Sequence, residues 1–221
     1  MKLVHSQMGH ILDFNNGCAN ELVIENKKMF LEFVNGINLQ ADGIKGDFVL
    51  SIKDKPVEFA KFTDVTMQFA PFQINRKSLL TKLYSALEQK ALLAENYTKT
   101  GEIISGLESY VNHLAEDFSF EIDCQRVSIG PIIRALAPEI EENDKSTLEK
   151  IFEYIEMVRE LDKERLFIMV NMRTYFTDDE MDVFIESVCL HDFKLLLIES
   201  TAFNVLSNIK RYVIDEDLCE F

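Results

Sequence analysis

An α/β fold built around a parallel sheet is what this sequence predicts, on three observations. Two are uninterrupted apolar runs, RLFIMVN from residue 165 and FKLLLIES from residue 193. Strands that are apolar without alternation are covered on both faces, as in a parallel sheet. The third lies between them: TDDEMDVFIESVCLHD carries Met181, Phe184, Ile185 and Val188 at helical spacing, which suits the crossover helix that a parallel pair requires. Thr177 and Glu180 supply the capping box that opens this helix.

The earlier segments extend that frame or are inserted into it. Residues 2–8 alternate weakly, and ELVIE from Glu21 reads as a stronger strand. Asn26 is placed to cap a helix whose apolar face is Met29, Phe30, Phe33, Val34 and Ile37, with Gly36 near its end. DFVLSIK from Asp47 and VTMQF from Val65 read as further strands, separated by polar turns and Pro56. After Pro71 two amphipathic helices follow, over residues 76–95 and 102–116, joined near Thr98 to Gly101 as an α-hairpin. FSFEIDC from Phe118 reads as a short strand and residues 129–136 as a short helix. Residues 146–162 form a helix with Leu148, Ile151, Phe152, Ile155, Val158 and Leu161 as its buried stripe. The chain is thus a discontinuous α/β domain interrupted by a helical insertion, with no internal repeat and no low-complexity linker.

The 221 residues, with a hydrophobic share of 47% and 17 Phe, suffice for a proper core. No apolar run reaches membrane-spanning length, and MKLVHSQMGH lacks the basic start and apolar stretch of a signal peptide, so a cytoplasmic location is expected. Cys18, Cys124, Cys189 and Cys219 are far apart and form no CxxC pair, which favours reduced thiols. The net charge of −15 conceals a division: residues 1–100 hold 12 Lys and Arg against 11 Asp and Glu, and residues 101–221 hold 11 against 27. An acidic whole argues against broad nucleic-acid affinity, yet screening over about 8 Å lets one basic face act apart from the rest.

Strand, turn and helix around Glu25 invite a phosphate-cradling loop, but Glu25-Asn26-Lys27-Lys28 has no Gly, and no GxxxxGK[ST] occurs. Without small residues there, backbone amides cannot close around a phosphate. His5, His10, His113 and His191 form no helix-face pair and lie in no nucleophile motif. Lys27, Lys28, Lys45, Lys53, Lys55 and Lys61 are either solubilising surface charges or point charges facing a phosphate backbone, which confer no sequence preference. Asp178 and Asp179, beside Thr177 in a first helical turn, are explained by capping and the helix dipole.

The C-terminal third resembles the type II-A CRISPR-associated spacer-adaptation protein family. The likeness is carried by Val170 and Asn171 at the strand end, Tyr175, Thr177 and Glu180 at the helix cap, Glu199 after the next strand, and Ile214-Asp215-Glu216-Asp217. It extends more weakly to ELVIEN, the two long helices and FEIDC. The resemblance implies a degenerate P-loop-NTPase-like sheet domain, residues 1–75 and 140–221, with an inserted helical leg, residues 76–139. It implies a non-enzymatic homotetrameric ring that binds calcium and admits double-stranded DNA ends without sequence preference. Its partners would be the CRISPR integrase proteins and the type II effector nuclease. Calcium prefers oxygen ligands. By resemblance, Glu121 and Asp123, two apart on a predicted strand, fall near the calcium sites, with Glu139, Glu141, Glu142 and Asp144 as further candidates; the alternative is that both groups are merely exposed. The competing functions are a degenerate nucleotide-dependent enzyme and an acidic scaffold.

Overall fold

Backbone amides and carbonyls must be paired wherever they are buried, and in this chain helices and two separate sheets do that pairing. The computed structural model describes all residues except 16–18, 125–126, 143 and 163. In chain order they form β1 (Lys2–His5), β2 (Leu12–Asp13), β3 (Ala19–Ile24), α1 (Lys27–Ala41), β4 (Phe48–Ile52), β5 (Lys55–Val57), α2 (Phe59–Phe62) and β6 (Thr63–Thr66). Next come α3 (Lys77–Ala91), α4 (Ala94–Ala115), α5 (Ile129–Leu136) and α6 (Thr147–Leu161). The last part is β7 (Leu166–Val170), a 3-10 turn (Met172–Tyr175), α7 (Asp178–Leu190), β8 (Lys194–Glu199) and β9 (Ile209–Ile214). The described residues fall into two compact units, Met1–Gln73 with Lys145–Phe221, and Ile74–Asp144.

The first unit contains the predicted parallel sheet, in the order β6-β7-β8-β3-β9. Every residue of β7 is buried, as is every residue of β3, which is why their sequences do not alternate. Even-numbered Leu22, Ile24, Ile168, Leu196 and Ile198 join Met29, Phe33 and Ile37 of α1 in one core. Odd-numbered side chains point to the opposite face, where α6 and α7 bury Ile151, Ile155, Met181 and Ile185. α7 has the predicted capping box, Thr177 with Glu180, and buries the four residues predicted for its inner face. The cap of α1 is as predicted too: Asn26 Oδ1 accepts from the Met29 amide at 3.0 Å.

Several expectations need correction. β1, β2, β4 and β5 do not extend the parallel sheet but form a second, antiparallel one in the order β2-β1-β4-β5. Leu3, Leu12, Phe48 and Leu50 of that sheet enter the α1 core, so its alternating strands bury one face only. Pro56 is no separator: it lies within β5, an edge strand, where its missing N–H costs no ladder bond. α1 continues five residues beyond Gly36 to Ala41. The strand predicted at Val65 sits earlier, at Thr63–Thr66, and β9, which periodicity did not reveal, closes the sheet beside β3.

In the second unit the break between the long helices comes at Leu92–Leu93, not near Gly101. Asn96 Nδ2 donates to the Lys90 carbonyl at 2.9 Å and Thr100 Oγ1 to the Ala91 carbonyl at 2.8 Å. These bonds satisfy carbonyls that the end of α3 leaves free, so Thr98 to Gly101 belong to α4. FSFEIDC is not a strand: residues 118–124 are irregular, because all the described strands lie in the other unit and none is available to pair with it. The expectation of reduced thiols also fails at Cys189, which is disulfide-bonded. Cys124 and Cys219 are free thiols, and Cys18 lies outside the described residues. Distance along the chain does not exclude approach in space.

Candidate functional site

The predicted lysines are all exposed, but they are not one cluster. Lys27 and Lys28 occupy the first turn of α1, whereas Lys45 lies past its far end, about 22 Å along at 1.5 Å per residue. Lys28 approaches Glu32 at 3.9 Å and Lys61 pairs with Glu58 at 2.6 Å. Lys27, Lys45, Lys53 and Lys55 have no ion pair among the described residues. Lys53 and Asp54, both with positive φ (51° and 59°), turn the β4–β5 hairpin. That turn borders a pocket of about 270 Å³ where Lys2, Arg159 and Lys194 join Lys53, with Asp54, Glu164 and Asp192 among them. Lys2 pairs with Asp54 at 2.8 Å and Lys194 with Asp192 at 2.5 Å. Local charge counting picked out only Lys53 of these four cations, since the others come from β1, α6 and β8.

The predicted carboxylates stay apart. Glu121 and Asp123 are exposed in an irregular segment, so they have no strand face in common. Glu139, Glu141 and Glu142 are also exposed. Asn75 pins the run between the first two, donating to the Ile140 carbonyl at 3.0 Å and accepting from its amide at 2.9 Å. Among the described residues no three His, Cys, Asp or Glu side chains gather as a metal site. Among the described residues the predicted carboxylates therefore do not by themselves assemble the oxygen-rich shell that calcium takes.

Sequence reading missed the most concentrated ionic chemistry of the first unit. Glu21 on β3 faces Arg211 on β9 in register, and the two carboxylate oxygens of Glu21 accept from Arg173 Nη1 at 2.7 Å and Arg211 Nε at 2.5 Å. Arg173 also donates to Asp178 at 2.6 Å and lies 4.9 Å from the Phe203 ring centre. Arg211 donates to the carbonyls of Phe203 and Asn204 at 2.7 and 2.8 Å. Glu199, fully buried at the end of β8, accepts from the Arg173 amide at 3.1 Å. Burial pushes its carboxyl up to about 8, against the backbone amide of Arg173 and with help from the charge of Glu21. Among the described residues Glu199 Oε2 and Arg173 Nε have no hydrogen-bond partner. The signal in the sequence was a Glu inside the buried run ANELVI, since a buried charge demands partners.

Asp178 is thus more than a helix-dipole residue. Asn204 and Arg173 bond it and hold its carboxyl below the usual range. Asn171 has a left-handed backbone, φ 53°. Its Oδ1 accepts from the amide and hydroxyl of Ser200 at 2.9 and 3.0 Å, joining the ends of β7 and β8. The arrangement braces the C-terminal edge of the sheet, while at the turn after β3 the Asn26 side chain occupies the Met29 amide.

The second unit presents a different surface. Ile103, Leu107, Tyr110, Val111 and Leu114 follow one another along α4 at helical spacing, and all are exposed, Tyr110 at 60%. Phe118 and Phe120 lie just beyond, their rings tilted and 5.2 Å apart between centroids, and are exposed as well. Such a contiguous apolar strip marks an association surface.

A family model described as "CRISPR-associated protein (Cas_Csn2)" matches residues 40–218. Two curated relatives are each named CRISPR-associated protein Csn2. One, from Enterococcus faecalis, is 24% identical over 74% of this chain and 72% of its own. The other, from Streptococcus agalactiae, is 25% identical over 74% and 71%. Among solved structures, that of Stu0660 of Streptococcus thermophilus superposes with a TM-score of 0.60 at 13% identity, covering 90% of this chain and 68% of that one. This supports the same fold. Among the described residues no helix is long and apolar enough to cross a membrane.

Proposed function

The chain belongs to the CRISPR-associated Csn2 family, and from that premise we propose that it is a non-enzymatic protein that assembles as a homotetrameric ring around the ends of double-stranded DNA. It would hold those ends, without sequence preference, during spacer acquisition in a type II-A system. Its partners there would be the integrase proteins and the effector nuclease. The observation that carries the reading is the exposed apolar strip of α4. Leaving Ile103, Leu107, Tyr110, Val111 and Leu114 in water forgoes burial free energy of about 25 cal/mol per Å2, which association with like strips would recover.

Two further observations support it. Around one pocket Lys2 and Lys194 are paired with Asp54 and Asp192, while Lys53 and Arg159 are in no ion pair among the described residues, which suits phosphate contacts made as point charges by those two. The degenerate P-loop-like reading of the sheet is supported by the strand–turn–helix at β3 and α1, where the Asn26 side chain takes the Met29 amide, one of those a phosphate could use. That same cap opposes a nucleotide-dependent enzyme. Among the described residues Glu121, Asp123, Glu139, Glu141 and Glu142 form no metal-ligating cluster, so no step is assigned to calcium, which enters as a variable of the assembly measurement.

Light-scattering mass with calcium and with a chelator, followed by retention on linear and covalently closed duplex, tests the proposal. A tetramer that prefers linear duplex is expected. Leu107→Asp with Val111→Asp should lower the mass and the retention together. A monomer under every condition, indifferent to DNA ends, would overturn the reading.

A further inference from the structure

The N-terminal halves of α6 and α7 border a groove of about 810 Å³. Its floor is apolar, made by Leu148, Phe152, Val183 and Phe184. Phe152 and Phe184 are braced edge-to-face, 6.5 Å between centroids, so the floor is set before anything binds. Val183 is 65% exposed on the rim of that floor. Around it stand Glu149, Glu153, Asp179 and Glu180; the one lining cation, Lys145, pairs with Glu153, so Glu149, Asp179 and Glu180 carry the net negative charge of the rim.

Two of these carboxylates are fixed in place. Glu149 Oε2 accepts from the Ser146 amide and hydroxyl, both at 2.8 Å. Glu180 Oε2 accepts from the Thr177 amide at 2.9 Å and hydroxyl at 2.8 Å. These bonds hold both groups below the usual carboxylate range, so these two rim carboxylates are charged at neutral pH. Each capping box uses one oxygen of its Glu and leaves the other toward solvent. An apolar floor inside an acidic rim repels phosphate, and it repels a second copy of a chain with net charge −15. It complements a segment that carries apolar side chains flanked by Lys and Arg.

We propose that the groove between α6 and α7 docks a cationic amphipathic helix of a protein partner, its apolar side chains seated on Leu148, Phe152 and Val183 and its cations over Glu149, Asp179 and Glu180. The partner's recognisable feature is one stripe of Leu-like residues bordered by Lys or Arg. DNA retention is a separate property, because none of the lysines named for phosphate contact lines this groove.

The test uses the full-length chain and labelled synthetic helical peptides of about 15 residues. One has a Leu stripe flanked by Lys; a second has Glu for each Lys; a third has Ser for each Leu. Fluorescence anisotropy should show binding of the Lys–Leu peptide alone. Val183→Glu should weaken it by about tenfold or more, as should Glu153→Lys with Asp179→Lys. A control, Glu216→Lys with Asp217→Lys, should leave affinity within about twofold. Amide exchange should slow over residues 146–156 and 179–187 when the peptide binds. The proposal is overturned by equal binding of the Ser or Glu peptide, by equal loss in the control variant, by no effect of Val183→Glu, or by no change in exchange along the groove. It is also overturned if Val183→Glu lowers the mass of the assembly instead, since the occupant is then a second copy.

Discussion

Arg173 Nη1 donates to Glu21 Oε1 at 2.7 Å, joining two side chains that are 1% and 0% exposed and 152 residues apart in the chain. The pair ties the 3-10 turn after β7 to the middle of β3. With Arg211 on the other oxygen of Glu21, it braces three segments from opposite ends of the sequence. Removing one member of a buried pair leaves the other charge uncompensated, at about 3 to 5 kcal/mol. Arg173→Met leaves Glu21 with Arg211 as its one cation, so it should lower the unfolding free energy by less than that full amount, about 3 kcal/mol at most, read from urea denaturation monitored by far-UV circular dichroism. A loss within experimental error would show that the pair is dispensable.

Glu199 makes stability depend on pH in a defined direction. Its carboxyl titrates near 8 in the folded chain against 4.5 ordinarily, so between those values the folded state holds a proton that the unfolded chain has released. The contribution is therefore full below about pH 4.5 and is lost as pH rises toward 8. The slope from this one group is at most about 1.4 kcal/mol per pH unit. Glu199→Gln mimics the protonated form, so its stability relative to wild type should climb across that window, measured by urea denaturation at successive pH values. Parallel curves for the two proteins would contradict the assignment.

The cap of α7 gives a smaller, local test. Thr177→Ala removes the acceptor of the Glu180 amide and should cost about 1 kcal/mol. Glu180→Gln keeps an oxygen able to accept from the Thr177 amide, so it should cost less. Thermal denaturation of the two variants distinguishes them; a larger loss in Glu180→Gln would mean that the carboxylate acts through its charge.

Lys53 gives a test of the phosphate surface. It lies at a hairpin turn with no ion pair among the described residues, so Lys53→Glu should leave the melting temperature nearly unchanged. If it meets a phosphate, duplex affinity should fall and the salt dependence of log affinity should flatten by about 0.9 per lost contact. Titration of labelled linear duplex at several salt concentrations measures both. An unchanged slope would remove Lys53 from the interface.

Much of the fold could be read locally. The apolar runs of β7 and β8, the Met181 to Val188 stripe and the caps at Asn26 and Thr177 are properties of neighbouring residues. The same is not true of FSFEIDC, whose alternation suits a strand but which has no partner strand in its unit. Nor does alternation in β1 and β4 say which sheet they join, because pairing is decided by chain segments far away. The break between α3 and α4 fell at Leu92 because Asn96 and Thr100 reach back to the last carbonyls, bonds that periodicity does not register.

The sequence by itself determined the alternating β/α order, the helix that crosses between β7 and β8, and the absence of glycine at the turn after β3. All of these follow from residues within a few positions of one another. Only the tertiary structure decided that Glu21 meets Arg173 and Arg211, that four scattered cations line one pocket, and that the predicted carboxylates stay apart. A buried charge requires a counter-charge, but nothing in its own neighbourhood says which; the sheet register chooses it.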